Sequence, residues 1–427
     1  MNKTHPVLDR WTNTYNFCCY RLPSFPPLKK TRCVRIGPKK GFENEHFLDG
    51  YGHVSVIDFK ENCININTKS IVTLENKLEH VFGGRKLFKS VFTKKENDKA
   101  PLYIKSSSNT NVLPLYDNKY MTLSDGGFPH ILDMDHESWC EKKLWFAPRY
   151  SAHYVQEDGC IYLFSMNIKQ NKTNIHIYCV DNERSSIDKP ELLFDIELPV
   201  STYIHDFKVS KTYFIFYINP IEYDNDKSKS IISNFSLCNN RSASWLLIDK
   251  ITGEEIHIPC NIKTLHPVIM HHINAYEDKV TENIIINSIC INDFNINNEE
   301  MDGGLFQFNI DPKRLTYTQK LISSTFGEFP VYYNEYVYYL TNPNDIWFTS
   351  LTRINLTNLD QNTWESPTFV LLNECTCIRD YIVIVGYHYK KETSILFILD
   401  TDLNLLYKYD IGTNIGFALH TKSVELN

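Results

Sequence analysis

Four histidines in this chain sit where an apolar or aromatic stretch gives way to a polar one. They are His153 in SAHYVQEDGCIYLF, His205 in YIHDFKVSKTYFIF, His271 in VIMHHINAYED and His420 in IGFALHTKSVELN. Neutral imidazole is the commonest protein ligand for iron, copper and zinc, so the four form a candidate metal set. A ligating ring usually gives its other N–H to a carboxylate or carbonyl, which predicts acids close by in space. Taken singly, each is more often a packed core or rim residue, and the chain has 15 histidines in all. Their separations are far too wide for a local motif. They can share one ion only if separate strands converge on it.

The elements available to position them are almost all strands. Segments such as GCIYLFSMNI, NIHIYCVD, KTYFIFYINP, ENIIINSICIN and DYIVIVGYHY are short, β-branched and aromatic. Most are bounded by Asp, Asn, Gly, Lys or Pro. Two hairpins are predicted directly, SWLLIDKITGEEIHIPC and SILFILDTDLNLLYKYDIG, each with two strands across a polar turn. Helical periodicity is scarce, and its best candidate is NKLEHVFGGRKLFKSVFTKK, residues 76–95. No Pro/Gly/Ser linker divides the chain, and YDNDKSKS and NDFNINNEEMD read as surface loops. Many short strands at this spacing fit a large barrel, a pair of sandwiches or a propeller of about seven irregular blades. Periodicity does not choose among them.

Composition narrows the function classes. The 427 residues are 42% hydrophobic, enough for a sizeable core. A net charge of −7 with a pI near 6.1 advertises no basic face for nucleic acid. The N-terminal residues lack the apolar core of a signal peptide, and no apolar run approaches membrane-spanning length. The twelve cysteines are scattered and fit neither a zinc knuckle nor a C-x-x-C motif. Free thiols and a cytoplasmic location are expected, which leaves sequons such as Asn171-Lys172-Thr173 idle. The stretch Val81–Lys95 alternates apolar groups with five basic ones. It could lie on an anionic membrane surface, although an ordinary capping helix with a wet basic face is the commoner case.

Seven ordered segments, from about Arg35 to His420, resemble the carotenoid cleavage oxygenase family. RIGPKKGFENEHFLDGYGHVSVIDF keeps Arg35, Gly37, Pro38, Asp49, Gly50 and Gly52 of the family's N-terminal block. NTNVLPLYDNKYMTLSDGGFPHILDMD is similar to its NT…EGG segment, and SAHYVQEDGCIYLF, YIHDFKVSKTYFIF and MHHINAYED to those that supply three metal ligands. GEFPVYY resembles an acidic segment, and IGFALHTKSV the C-terminal block with the fourth ligand.

The resemblance implies an all-β chain, a seven-bladed propeller with a few short helices capping an axial iron site. Residues 1–427 would form a single domain, with 1–34 an extension and 35–420 the family-like core. It implies Fe(2+) held by His153, His205, His271 and His420, with His272 pointing to the other side of its strand. Acids behind the ligands fall on Asp125, Glu328 and Glu365. Asp125 stands where a glutamate is usual, and Ser366 separates Glu365 from Pro367. The implied activity is oxidative cleavage of one C=C bond of an apolar conjugated substrate with O2, giving carbonyl products. The implied alternatives are retinoid isomerisation or ester cleavage at the same site, and an inactive propeller that binds a lipid or a protein. Stilbene-cleaving members carry a lysine before the first acid and a tyrosine near the N-terminal strands. Here Ser124 and Ile66 take those places, so a carotenoid, apocarotenoid or retinoid is expected over a phenolic stilbene.

Overall fold

A computed structural model describes residues 17–22, 28, 30–39, 45–61, 63–82, 87–93, 104–134, 140–144, 148–181, 190–226, 229–260, 267–292, 302–342 and 348–426. Antiparallel strands dominate, as β-branched and aromatic content requires. They assemble into seven sheets of four or five strands and one two-stranded ribbon. Chain contacts divide them between two compact units, Met1–Tyr150 with Trp347–Arg353 and Gln361–Asn427, and Ser151–Ile346 with Ile354–Asp360.

The first unit holds three of the sheets. One is closed by the chain's last strand: His420–Glu425 pairs antiparallel with Thr31–Pro38, in register from Thr31 opposite Glu425 to Ile36 opposite His420. That pairing places His420, and the glycine of the RIGP motif is what lets the adjoining chain pass. A Cβ on Gly37 would stand 2.2 Å from the Phe417 carbonyl oxygen. Buried Arg35 donates to the Asn373 side chain (3.1 Å) and to the Gly416 carbonyl (3.3 Å). Residues quoted from opposite ends of the sequence are thus one piece of local structure.

The second unit has three complete four-stranded sheets and the ribbon Ile221–Tyr223 with Phe235–Leu237. The strands Gly327–Tyr333, Tyr336–Thr341, Ser350–Asn355 and Gln361–Glu365 form the seventh sheet. Ile284–Ile291 is buried along its whole length, as a central strand covered on both faces must be. Trp245 is fully buried against Tyr217 (4.8 Å) and Phe308 (5.0 Å).

Both predicted hairpins form, Ser244–Asp249 with Glu255–Pro259 and Thr393–Asp400 with Leu405–Asp410. Asp249 and Asp400 each turn the chain by accepting two backbone amides that follow them. The predicted helix over 76–95 is corrected. An eight-residue helix spans Leu74–Val81, capped by the Thr73 hydroxyl. Val91, Phe92 and Thr93 instead donate their amides to the Asp49 carboxylate. Residues 83–86 and 94–95 of the basic stretch lie outside the described residues. No helix among the described residues is long and apolar enough to cross a membrane.

Candidate metal centre

Three of the four histidines meet in the second unit. His153 lies on Tyr150–Glu157, His205 in the irregular segment before Lys208–Val209, and His271 on Val268–Glu277. Their ring centroids are 4.5 Å (His153–His205), 5.1 Å (His153–His271) and 5.1 Å (His205–His271) apart, with planes crossed by 68–76°. The Nε2 atoms of His153 and His205 are 3.1 Å apart. Edge-on imidazoles with facing Nε2 atoms are an arrangement that a cation between them satisfies.

The opposite nitrogens face oxygen. His271 Nδ1 lies 2.5 Å from Glu328 Oε2. His205 Nδ1 lies 3.3 Å from the Tyr203 hydroxyl, and His153 Nδ1 3.8 Å from Asp206 Oδ1. A proton held on Nδ1 leaves the lone pair on Nε2, the tautomer a metal ligand needs. Asp206 is buried; burial alone would raise its carboxyl, but Lys208, whose ammonium is 2.8 Å away, and His272 pull it below the usual range.

His271 is aimed by irregular pairing. The register of Val268–Glu277 slips between Ile269 and His271 and again between His272 and Asn274. Bulges of this kind re-aim a side chain. His272 goes the other way, as alternation predicts, to bond Ser288 Oγ (2.7 Å), and burial pushes its imidazole down to about 3. Glu328 also sits at a slip in its ladder, beside Phe329 at φ +57°.

In the first unit His420 is built to the same plan. Its Nδ1 lies 2.9 Å from Glu374 Oε1, and Glu374 Oε2 accepts the Thr421 amide at 2.5 Å. Both side chains are buried. Glu374 holds this place, not Glu365, which ends the strand Gln361–Glu365 in an exposed position. Trp364 packs inward on Phe397 at 5.1 Å, so alternation turns its neighbour Glu365 to solvent. Asp125 is half-buried in the turn between Leu123 and Gly127. Tyr203, Asp206 and Glu374 are missing from the sequence reading. Glu374 could have been found as a lone carboxylate inside the apolar run VLLNECTCI, where an acid needs a partner.

The sequence profile of the retinal pigment epithelial membrane protein family matches residues 26–422. The chain belongs to this family, the carotenoid cleavage oxygenases. Among solved structures, a variant of Synechocystis apocarotenoid oxygenase superposes with a TM-score of 0.84 at 20% identity, covering 98% of each chain. Cobalt-substituted Synechocystis apocarotenoid oxygenase gives 0.83 at 21% identity, again over 98% of each chain. A chimera of that oxygenase and RPE65 gives 0.82 at 19% identity with the same coverage. No curated protein sequence matches the chain. The fold of this family member is the seven-bladed β-propeller, its blades the seven sheets described above.

Proposed function

We propose that this carotenoid oxygenase family member holds one Fe(2+) through Nε2 of His153, His205, His271 and His420. We further propose that it cleaves a C=C bond of a carotenoid, apocarotenoid or similar polyene with O2, giving two carbonyl products. The observation that carries the reading is the crossed cluster of His153, His205 and His271, with Glu328 on the far nitrogen of His271. Glu374 on His420 supports the fourth ligand. When bound, the ion would supply the one-electron chemistry towards O2 that no side chain provides.

The chain's own residues do the rest. Glu328 and Glu374 keep protons on the outer nitrogens of His271 and His420. Tyr203 faces that nitrogen of His205, and Asp206 that of His153. The carboxylates also offset a dication that four neutral ligands leave uncompensated. We assign Asp125 to the same supporting set on the resemblance alone. Rings flank the histidines: Phe329 is 6.0 Å from His271, Tyr203 6.2 Å from His205, and Phe235 5.5 Å from Tyr203.

We take residues 35–420 as the core of one propeller domain; the expected boundary between 34 and 35 falls inside the strand Thr31–Pro38, which pairs with His420–Glu425, so residues 31–34 and 421–425 belong to the propeller as well. We also propose a peripheral membrane contact at the start of Val81–Lys95, where Val81 is 78% and Phe82 54% exposed.

The test is product analysis. Fe(2+)-loaded protein is incubated with apocarotenals, a retinyl ester and resveratrol-type stilbenes under 18O2. Paired carbonyls carrying label support cleavage. Retinol without oxygen uptake would indicate the isomerase or hydrolase reading. Turnover of none of these would favour a propeller that binds a lipid or protein without catalysis.

A further inference from the structure

Asn219 follows the strand Tyr213–Ile218 and is 1% exposed. Its side-chain amide makes three hydrogen bonds, all to backbone. Nδ2 donates to the carbonyls of Tyr203 (3.0 Å) and Ile269 (3.1 Å), and Oδ1 accepts the Ile269 amide (2.9 Å). Both N–H protons and the oxygen are used, which fixes the amide's orientation. Tyr203 stands two residues before His205, and Ile269 two before His271. One buried side chain therefore joins the irregular segment that carries one histidine to the strand that carries another.

The two bonds to Ile269 imitate a rung of sheet pairing on the edge of Val268–Glu277 that faces away from Ile284–Ile291. They fall just before the first slip in that strand's register. Just after His271, the amide of His272 donates to Asp206 Oδ2 at 2.9 Å. His271 is thus bracketed by two side chains, Asn219 on one side and Asp206 on the other. A bulge without anchored ends is free to relax into regular pairing, and that would swing the imidazole away.

We propose that Asn219 is a positioning residue of the histidine site, setting the separation of His205 and His271, whose ring centroids are 5.1 Å apart. The inference rests on the metal role proposed above. Groups that orient ligands without touching the metal typically change affinity by about 10–100-fold when removed. Asn219 lies one step further out than the carboxylates, and Asn219→Leu is expected near the lower end of that range, about tenfold.

The test uses Co(II) alone as probe, titrated into the full chain and followed by visible absorption. Wild type is compared with Asn219→Leu and with a matched control, Asn234→Leu. Asn234 is also buried, and its amide also makes three backbone bonds, accepting from Asp226 N and donating to the carbonyls of Asp226 (3.1 Å) and Ser230 (2.8 Å). None of those reaches a histidine-bearing segment. Asn219→Leu is expected to weaken Co(II) binding about tenfold and to alter the absorption band, while Asn234→Leu lowers the melting temperature but leaves both unchanged. Asn219→Ser, which keeps one donor, should fall between wild type and Asn219→Leu, and it carries the test if the leucine variant does not fold. A folded Asn219 variant with wild-type affinity and spectrum overturns this inference and leaves the metal site standing. Wild-type protein that takes up no Co(II) overturns the metal role itself, and this inference with it.

Discussion

Glu374 and Glu365 offer a sharp test, because the family resemblance points to one and the geometry to the other. Glu374 accepts two N–H groups, His420 Nδ1 at 2.9 Å and the Thr421 amide at 2.5 Å, and is 5% exposed. A hydrogen bond to a charged acceptor is worth roughly 1.5–3 kcal/mol, so Glu374→Ala removes up to about 3–6 kcal/mol if nothing relaxes. That figure bears on folding. For metal binding, losing the group that orients a ligand costs about 10–100-fold, or about 1.4–2.7 kcal/mol. Glu374→Gln keeps an oxygen for His420 but brings an amide NH2 against one of the two donors. It should sit near tenfold, and the alanine variant near a hundredfold. Glu365 is exposed at a strand end, so Glu365→Ala should change metal affinity by less than about twofold, as surface substitutions do. The assay is Fe(2+) or Co(II) binding in competition with a calibrated chelator, with a melting curve for each variant. Folded Glu374→Ala protein with wild-type affinity, or a large loss in Glu365→Ala, would refute the assignment.

Three further outcomes follow from the structure. His130 is buried with Nδ1 2.5 Å from Ser108 Oγ, and burial pushes its pKa down to about 4 from an ordinary value near 6.5. The unfolded chain therefore binds the extra proton first, so stability falls as pH drops from about 6.5 to about 4, by roughly 3 kcal/mol for this group. Melting curves across that range should show a shallower decline in His130→Gln than in wild type. Gly37→Ala would drive a methyl into the Phe417 carbonyl, 2.2 Å from the ideal Cβ. It should cost about 1–3 kcal/mol or more and weaken metal binding through His420, as read by thermal unfolding and chelator competition. Trp245→Ala empties a fully buried site between Tyr217 and Phe308 and should cost about 3–5 kcal/mol. Its protein, if recovered at low temperature, should show that loss as a lower denaturant midpoint.

Much of this architecture is legible in the sequence because strands and tight turns are local. Asp249 and Asp400 announce their hairpins by bonding amides two to four residues on. Glu328 is legible because the segment around it keeps a recognisable pattern, and His272 because alternation dictates its side. Glu374 is legible only as a carboxylate in an apolar run that needs a partner; the partner is not, since His420 and Thr421 reach it across a wide sequence separation. Nor is Asn219, which reads as an ordinary residue after a strand until Tyr203 and Ile269 are seen on either side of it. The apolar spacing of 76–95 continues past Val81, where the helix ends, because Asp49, far away in sequence, takes the amides of Val91–Thr93.

The central claim is a metal site built from His153, His205, His271 and His420. Its most direct test is the iron content of anaerobically purified protein, measured for wild type, His205→Ala and His420→Ala, with folding verified for each. About one iron per chain is expected in wild type, and its loss in both variants. Iron retained by His420→Ala would contradict the fourth ligand, and folded wild-type protein with no affinity for Fe(2+) would contradict the site as a whole.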